Sequence, residues 1–371
     1  MKERIHSIEY IRGISMLGVI GIHTGAYSLS NTDVNIHLFA LLEIVSRFSV
    51  PIFFFVSAFG LFLHQDLNKP LNYTSFMKRR CLTVLLPYIV WSLLYMIHYS
   101  WTSGDYLIWQ PPLVFHFFLF GLGSYQLYFL VILMWFYLLM PIWRWLVLII
   151  LQAPRLFLST ILVLQIACNY YSSYLLEANF DREWMNLALN HRMSYWVIHY
   201  VFIFLFGAVC AVHYKQLAAW LKRNTVPVNL FFLTALCGML SLYYILIFAS
   251  GYSPEAAVNT GHQLSPPGVL YTLAAALFFM RLFEHGLLPD YVTTVLSRLG
   301  DHSYAIYLVH PLVMYYVMNY ISDHELILSD MLVIAFYLIT VLISLAIAVL
   351  IRAISRPLPL LGLCLTGTKT R

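Results

Sequence analysis

Arg12 and His23 are the residues of this chain whose types and spacing point first to chemistry. Both lie in the apolar run IEYIRGISMLGVIGIHTGAYSL, which is long enough to cross a bilayer. A guanidinium and an imidazole are costly in hydrocarbon, and inside a membrane they usually mark a functional path. Eleven residues at about 100° each return to within about 20° of the same helix face. At about 1.5 Å per residue the two groups stand roughly 16 Å apart along the axis. One helix face would carry a positive charge near one membrane surface and a titratable base well inside. The plainer reading is a snorkelling arginine and a packed histidine. Glu9, one turn before Arg12, is placed to pair with the guanidinium and to soften its desolvation cost.

Three further groups of polar residues recur inside apolar runs. Glu43 and Arg47 are four apart and so neighbours on one helix face, either as a self-neutralising pair or as substrate contacts on the outer half. Pro51 follows and frees the backbone carbonyl of Arg47. Lys78, Arg79 and Arg80 open the next run. They read as positive anchoring or, for Arg79 and Arg80, as an anion site shared with Arg12, because a planar guanidinium suits bidentate phosphate contact. Near the end, LGDHSYAIYLVHP places Ser303, Tyr304, Tyr307 and His310 on or near one face. Tyrosines there also suit an interfacial belt, whereas His310 lies deeper. The remaining histidines, His98, His116, His199 and His262 among them, carry no signal beyond packing or solvation.

These residues must be positioned by a membrane scaffold. The 371 residues are 61% hydrophobic and 10% charged, with a mean hydropathy of +0.78. That profile excludes a soluble domain and predicts an all-α, polytopic transmembrane bundle over residues 1–371, one membrane domain with no appended soluble domain. About ten spans are expected, near 8–30, 38–64, 79–101, 127–150, 156–176, 194–213, 228–250, 268–286, 303–322 and 329–353. The first run lacks a small-residue cleavage site and is expected to remain as a span. With the N terminus inside, the inner ends hold most of the Lys and Arg, including Lys2, Arg4, Lys369 and Arg371, while the outer loops hold Arg182 and Arg192. Both termini are therefore expected in the cytoplasm. The net charge of +5 reflects that topology and contact with anionic lipid, and gives no argument for nucleic acid. The five cysteines are isolated, without metal-ligand spacing, and no phosphate loop, zinc motif or nucleophile elbow is present. No metal is expected. The stretch PPLVFHFFLFG in the 101–126 connection reads as a re-entrant or interfacial helix.

In order along the chain, these segments resemble acyltransferase family 3, integral membrane proteins that move acyl groups onto extracytoplasmic glycans and lipids. IEYIRG with His23 resembles the first-helix signature of an acidic residue, Arg-Gly, and ten residues between Arg and His. RFSVPIFFFVSAFG, KRRCLTVLLPYIVWS, YQLYFLVILMWFYLLMP and LGDHSYAIYLVHP resemble four later family segments. The wording around Arg47 is most similar to stand-alone surface-polysaccharide O-acetyltransferases, including the one acting on enterobacterial common antigen. Gln126 stands where the family often has histidine, Tyr128 where it often has tryptophan, and Ala58 where it usually has glycine. The hydrolase domain that some members append is not expected here.

The resemblance implies acyl-CoA, with acetyl-CoA the expected donor, and a hydroxyl of a surface polysaccharide or lipid-linked glycan as acceptor, at a bacterial plasma membrane. No bound cofactor is implied. CoA has an anionic nucleotide end and a long neutral arm, so Arg12 with Arg79 or Arg80 would hold the phosphates while the thioester reaches His23. His23 would act as general base or carry the acyl group transiently. Arg47, Glu43, Gln126, Tyr128, Tyr304 and His310 would line the site, with Glu9 and Ser303 in support. The competing class is a transporter or flippase of lipid-linked sugars, which also needs buried charge and an aromatic cavity. A sensor or purely structural protein leaves Arg12 and His23 unexplained.

Overall fold

The computed structural model describes residues 5–31 and 33–368. Lys2, Arg4, Lys369 and Arg371, counted above toward the inner surface, lie outside the described residues. Among those described, all regular structure is helical and no strand occurs. Five helices are long and apolar enough to cross a membrane: Tyr73–Ser103, Pro154–Leu175, Thr225–Phe248, Pro266–Glu284 and Asp330–Ser355. Two bent pairs bring the number to seven if each is one crossing: Tyr128–Leu138 with Met140–Ile150 at 69°, and Val197–Val212 with Tyr214–Arg223 at 96°. The chain is thus a multi-pass helical membrane protein with five to seven such elements.

Local chemistry explains where these helices start. Ser265 and Ser329 accept from Gly268 N–H and Leu332 N–H, capping the first turns of Pro266–Glu284 and Asp330–Ser355. Prolines sit in the first turns of Pro154–Tyr170, Met140–Ile150 and Pro266–Glu284, where a missing N–H leaves no ladder bond unmade.

The stretch expected as one span at 38–64 is broken. A helix over Ile36–Glu43 ends, tight turns follow (Arg47 N–H to Ile44 O at 3.2 Å, Ser49 N–H to Ser46 O at 2.9 Å), and a second helix runs over Ser49–Phe62. Pro51 is the physical cause. It has no N–H for the Arg47 carbonyl, so the ladder restarts at Ile52 N–H to Phe48 O, 3.1 Å. Glu43 and Arg47 therefore face each other across a break rather than along one continuous helix. PPLVFHFFLFG forms the eight-residue helix Leu113–Phe120, too short to span.

The second departure concerns the late segment. Instead of a span at 303–322, one 34-residue helix runs over Asp290–Asp323, about 51 Å long, with Pro311 inside it. Its polar first half carries no apolar signal of its own and is kept helical by packing. It lies along the first helix, His6–Ser28, and two glycines permit the close approach. A Cβ on Gly13 would stand 2.4 Å from the Leu296 carbonyl oxygen, and one on Gly300 would stand 2.1 Å from that of Glu9. Backbone thus rests on backbone, as small residues allow in membrane bundles. This pairing brings Arg12 and His23 beside Ser303, Tyr304, Tyr307 and His310. The break at 44–48 and the helix Tyr128–Leu138 close the remaining sides.

Candidate functional site

Three cavities lie in series and share walls. The first, about 290 Å³, is lined by Arg12, Arg80, Ser57, Thr83, Tyr137, Ser303 and Tyr304. The second, about 170 Å³, is lined by His23, Arg47, Gln126, Tyr128 and Gln263. Phe53, Phe129 and Tyr307 belong to the walls of both. The third, about 300 Å³, shares Arg47, Tyr128 and Gln263 with the second and adds Tyr200, Asn259 and His262. The roughly 16 Å rise between Arg12 and His23 puts the two residues in successive cavities.

In the first cavity, Arg12 keeps an exposed surface on the cavity wall. Glu9, Asp301 and Tyr137 are close enough to act on its charge, and Glu9 Oε2 also lies 3.6 Å from His6 Nδ1. Arg80 is half-buried, with its guanidinium carbon 5.2 Å and 4.9 Å from the ring centroids of Phe76 and Tyr137. These ring faces hold the cation by its plane. Arg79 is exposed and lies off the cavity, so geometry separates two arginines that spacing could not. Ser303 donates to the Gly300 carbonyl at 2.8 Å. Arg80 Nε, Thr83 Oγ1 and the Tyr304 hydroxyl are buried there without a hydrogen-bond partner. Such groups carry a cost that a bound polar ligand would relieve.

In the second cavity, His23 is half-buried and packed between two rings. Its centroid is 4.3 Å from that of Tyr125 and 5.4 Å from that of His310, the latter stacked at 25°. His310 is fully buried, stacked on His23 and outside the linings of these three cavities. Its Nδ1 lies 3.1 Å from the Ile306 carbonyl, so Nδ1 carries the proton and Nε2, which is unpartnered, holds the lone pair. Gln126 is buried. Tyr95 is near enough to interact with it but gives its hydroxyl to the Leu308 carbonyl at 2.7 Å, and the amide of Gln126 is left without a well-formed hydrogen bond. The Gln126 backbone carbonyl accepts from the Tyr307 hydroxyl.

Arg47 joins the second and third cavities. Its Nη2 is 2.7 Å from Glu43 Oε2, and its Nη1 donates to Gln263 Oε1 at 3.2 Å. Glu43 sits behind the arginine and outside the linings of the second and third cavities. Burial, helped by the Arg47 charge, pushes the His262 imidazole down to about 4.

Several residues here gave no usable signal in the sequence. Gln263 and His262 lie in a connecting loop with no motif, and Phe53 and Phe129 read as ordinary core. Ser57 is one small residue within an apolar run, yet it lines the first cavity 3.4 Å from the Tyr137 hydroxyl. Tyr307 stood in the Tyr/Tyr/His stripe, but nothing in that stripe marked it as the wall between two cavities.

The acyltransferase domain of acyltransferase family 3 matches residues 5–353, and the chain belongs to that family. An acyltransferase activity in a membrane setting follows from that membership. No curated protein and no solved structure matches the chain.

Proposed function

We propose that this protein transfers an acyl group, acetyl in the simplest case, from cytoplasmic acyl-CoA to a hydroxyl of a cell-surface polysaccharide or lipid-linked glycan in a bacterial plasma membrane. The observation that carries the reading is the series of three cavities with His23 in the middle one. The first cavity offers two arginines to an anionic donor end. The third offers hydroxyl, amide and imidazole groups that suit a sugar. The acyl carbon need only travel to His23, about an arm's length from Arg12.

In this reading both termini are cytoplasmic. Ten passes then require three further crossings besides the seven above: His6–Ser28, the broken stretch from Ile36 to Phe62, and Asp290–Asp323. Arg12 and Arg80 hold the CoA phosphates, and Tyr304 and Ser303 line the path of the pantetheine arm. Gln126, Tyr128 and Arg47 contact the acceptor. Neutral His23 takes the proton from the acceptor hydroxyl as the oxygen attacks the thioester carbonyl. The C–O bond forms, the C–S bond breaks, and the proton passes to the departing CoA thiolate. In the two-step variant the imidazole nitrogen attacks first, and acceptor oxygen displaces it from the acyl-histidine. The similarity around Arg47 favours the branch of stand-alone surface-polysaccharide O-acetyltransferases.

The test is transfer of label from radiolabelled acetyl-CoA to glycan in membranes bearing wild-type protein or His23→Ala at equal expression. Label that appears with wild type and disappears with His23→Ala supports the reading. Glycan export without any labelled product would favour the transporter class. Labelled protein trapped in the absence of acceptor would select the acyl-histidine route.

A further inference from the structure

The chain beyond the family match carries a wall of the first cavity. The match ends at residue 353, yet Thr366, Gly367 and Thr368 line that cavity together with Arg12 and Arg80. Past Ser355 the chain turns into a helix over Pro359–Thr366 that packs on Tyr73–Ser103. Two contacts seat its end. The Trp91 indole N–H donates to the Leu365 carbonyl at 2.9 Å. Gly367 takes φ +64, in the left-handed region, and lies so close to Thr83 that a Cβ would stand 2.1 Å from that residue's carbonyl oxygen. Only glycine satisfies both conditions.

The place where it docks is itself irregular. Thr83 lies in a π-helical turn, Cys81–Leu85, directly after Arg80. Such turns widen a helix locally and are frequent at functional sites. Thr83 Oγ1 and Arg80 Nε are buried and unpartnered beside this contact. Thr366 Oγ1 bonds to the Gly362 carbonyl at 3.0 Å and stands 2.7 Å from Thr368 Oγ1. The corner thus gathers two guanidiniums and three hydroxyls on one cavity.

We propose that residues 366–368 are a donor-binding element, closing the first cavity and giving neutral hydrogen bonds to the same anionic end of acyl-CoA that Arg12 and Arg80 neutralise. The proposal rests on the acyl-CoA reading above. A phosphate group offers more acceptor lone pairs than two arginines fill, and the Thr368 and Thr83 hydroxyls can donate to it without adding charge, while Thr366, its proton on the Gly362 carbonyl, holds Thr368 in place.

The experiment measures steady-state transfer from acetyl-CoA, and the thermal shift that acetyl-CoA causes in the full-length, detergent-solubilised protein. Wild type is compared with Gly367→Val, which cannot take the turn, and with the doubly substituted Thr366→Val, Thr368→Val, which keeps shape and loses both hydroxyls. The expected result is a rise in KM for acetyl-CoA of about tenfold in Gly367→Val and about fivefold in the double variant. The kcat should hold within about twofold, the acceptor KM should be unchanged, and the ligand-induced shift should be reduced. Equal donor KM and equal shift in wild type and the double variant would overturn the donor-binding role. A wild type that neither binds nor turns over acetyl-CoA would instead overturn the acyl-CoA reading, and this proposal with it.

Discussion

The imidazole rings of His23 and His310 are stacked at 25° with their centroids 5.4 Å apart, although 286 positions of sequence separate them. The contact exists because the first helix and Asp290–Asp323 meet backbone to backbone at Gly13 and Gly300. His23 faces a cavity, and His310, pinned through Nδ1 to the Ile306 carbonyl, fixes the ring behind it.

This arrangement predicts unequal roles. His23→Ala should lower the transfer rate by about 10²–10⁴-fold, the range of a lost general base, with donor affinity kept. His310→Asn should cost less and act on kcat rather than on either KM, since the residue orients a ring and touches no substrate. A His310→Asn variant that raised the acceptor KM selectively would place His310 in direct contact with acceptor and contradict the stacking geometry. Steady-state kinetics with both substrates varied gives the answer.

The two neighbouring arginines should part company. Arg80 lines the first cavity over two ring faces, while Arg79 is exposed. Arg80→Ala is expected to raise the donor KM about tenfold, or ~1.4 kcal/mol, and Arg79→Ala to stay within about twofold. Arg12→Lys should also bind donor poorly, because an ammonium keeps the charge and loses the fork. Titrating acetyl-CoA against each variant decides the order.

Phe53, Phe129 and Tyr307 form the partition between the Arg12 and His23 cavities. Phe129 is braced by Phe54, with centroids 4.6 Å apart, and Tyr307 by its bond to the Gln126 carbonyl. Phe53 is half-buried, its ring 6.0 Å from that of Phe129, so trimming it opens the wall with least disturbance. Phe53→Ala should raise the ratio of butanoyl to acetyl transfer by at least about tenfold, in line with the 1–3 kcal/mol that a methylene is worth in a shaped apolar pocket. An unchanged ratio in an active variant would remove the partition from any part in acyl selection.

The glycine contacts should be structural first. Gly300→Val puts a branched side chain where a Cβ already meets the Glu9 carbonyl at 2.1 Å. Overpacking of this kind costs about 1–3 kcal/mol, and separating the two helices would also part His23 from His310. Reduced thermal stability in detergent together with lost activity is the expected pair of results. Full activity at wild-type stability would mean that the two helices need not touch.

His262 links stability to pH in the connection before Pro266–Glu284. An unfolded histidine titrates near 6.5, whereas the folded one is pushed down to about 4 by burial and the Arg47 charge. Between those values the unfolded chain binds the extra proton. The contribution of His262 is therefore intact above about pH 6.5 and is lost as pH falls toward 4. His262→Gln should flatten the loss of melting temperature between pH 7 and pH 5. An identical slope in both proteins would show that His262 is already protonated, or solvated, in the fold.

The sequence by itself determined that this is a helical membrane protein and that Arg12 and His23 share one helix. Both follow from local chemistry. Apolar runs must bury their backbone groups in helices, and the Arg-to-His spacing on one helix is set by helical geometry alone. The family pattern was legible for the same reason, since it is written in short contiguous segments.

What only the tertiary structure decided is everything that needs two distant segments at once. Spacing could not choose Arg80 over Arg79, because their difference is which side of a helix meets Tyr137. It placed Glu43 and Arg47 on one helix, although Pro51 breaks the ladder between the pieces they join. It could not show that the Gly13 and Gly300 contacts bring His310 against the His23 ring. It gave Gln263, His262 and Thr366 no role at all, for a loop residue acquires one only when folding lays it against a cavity. A cavity is a gap between helices, and no single helix encodes the gap.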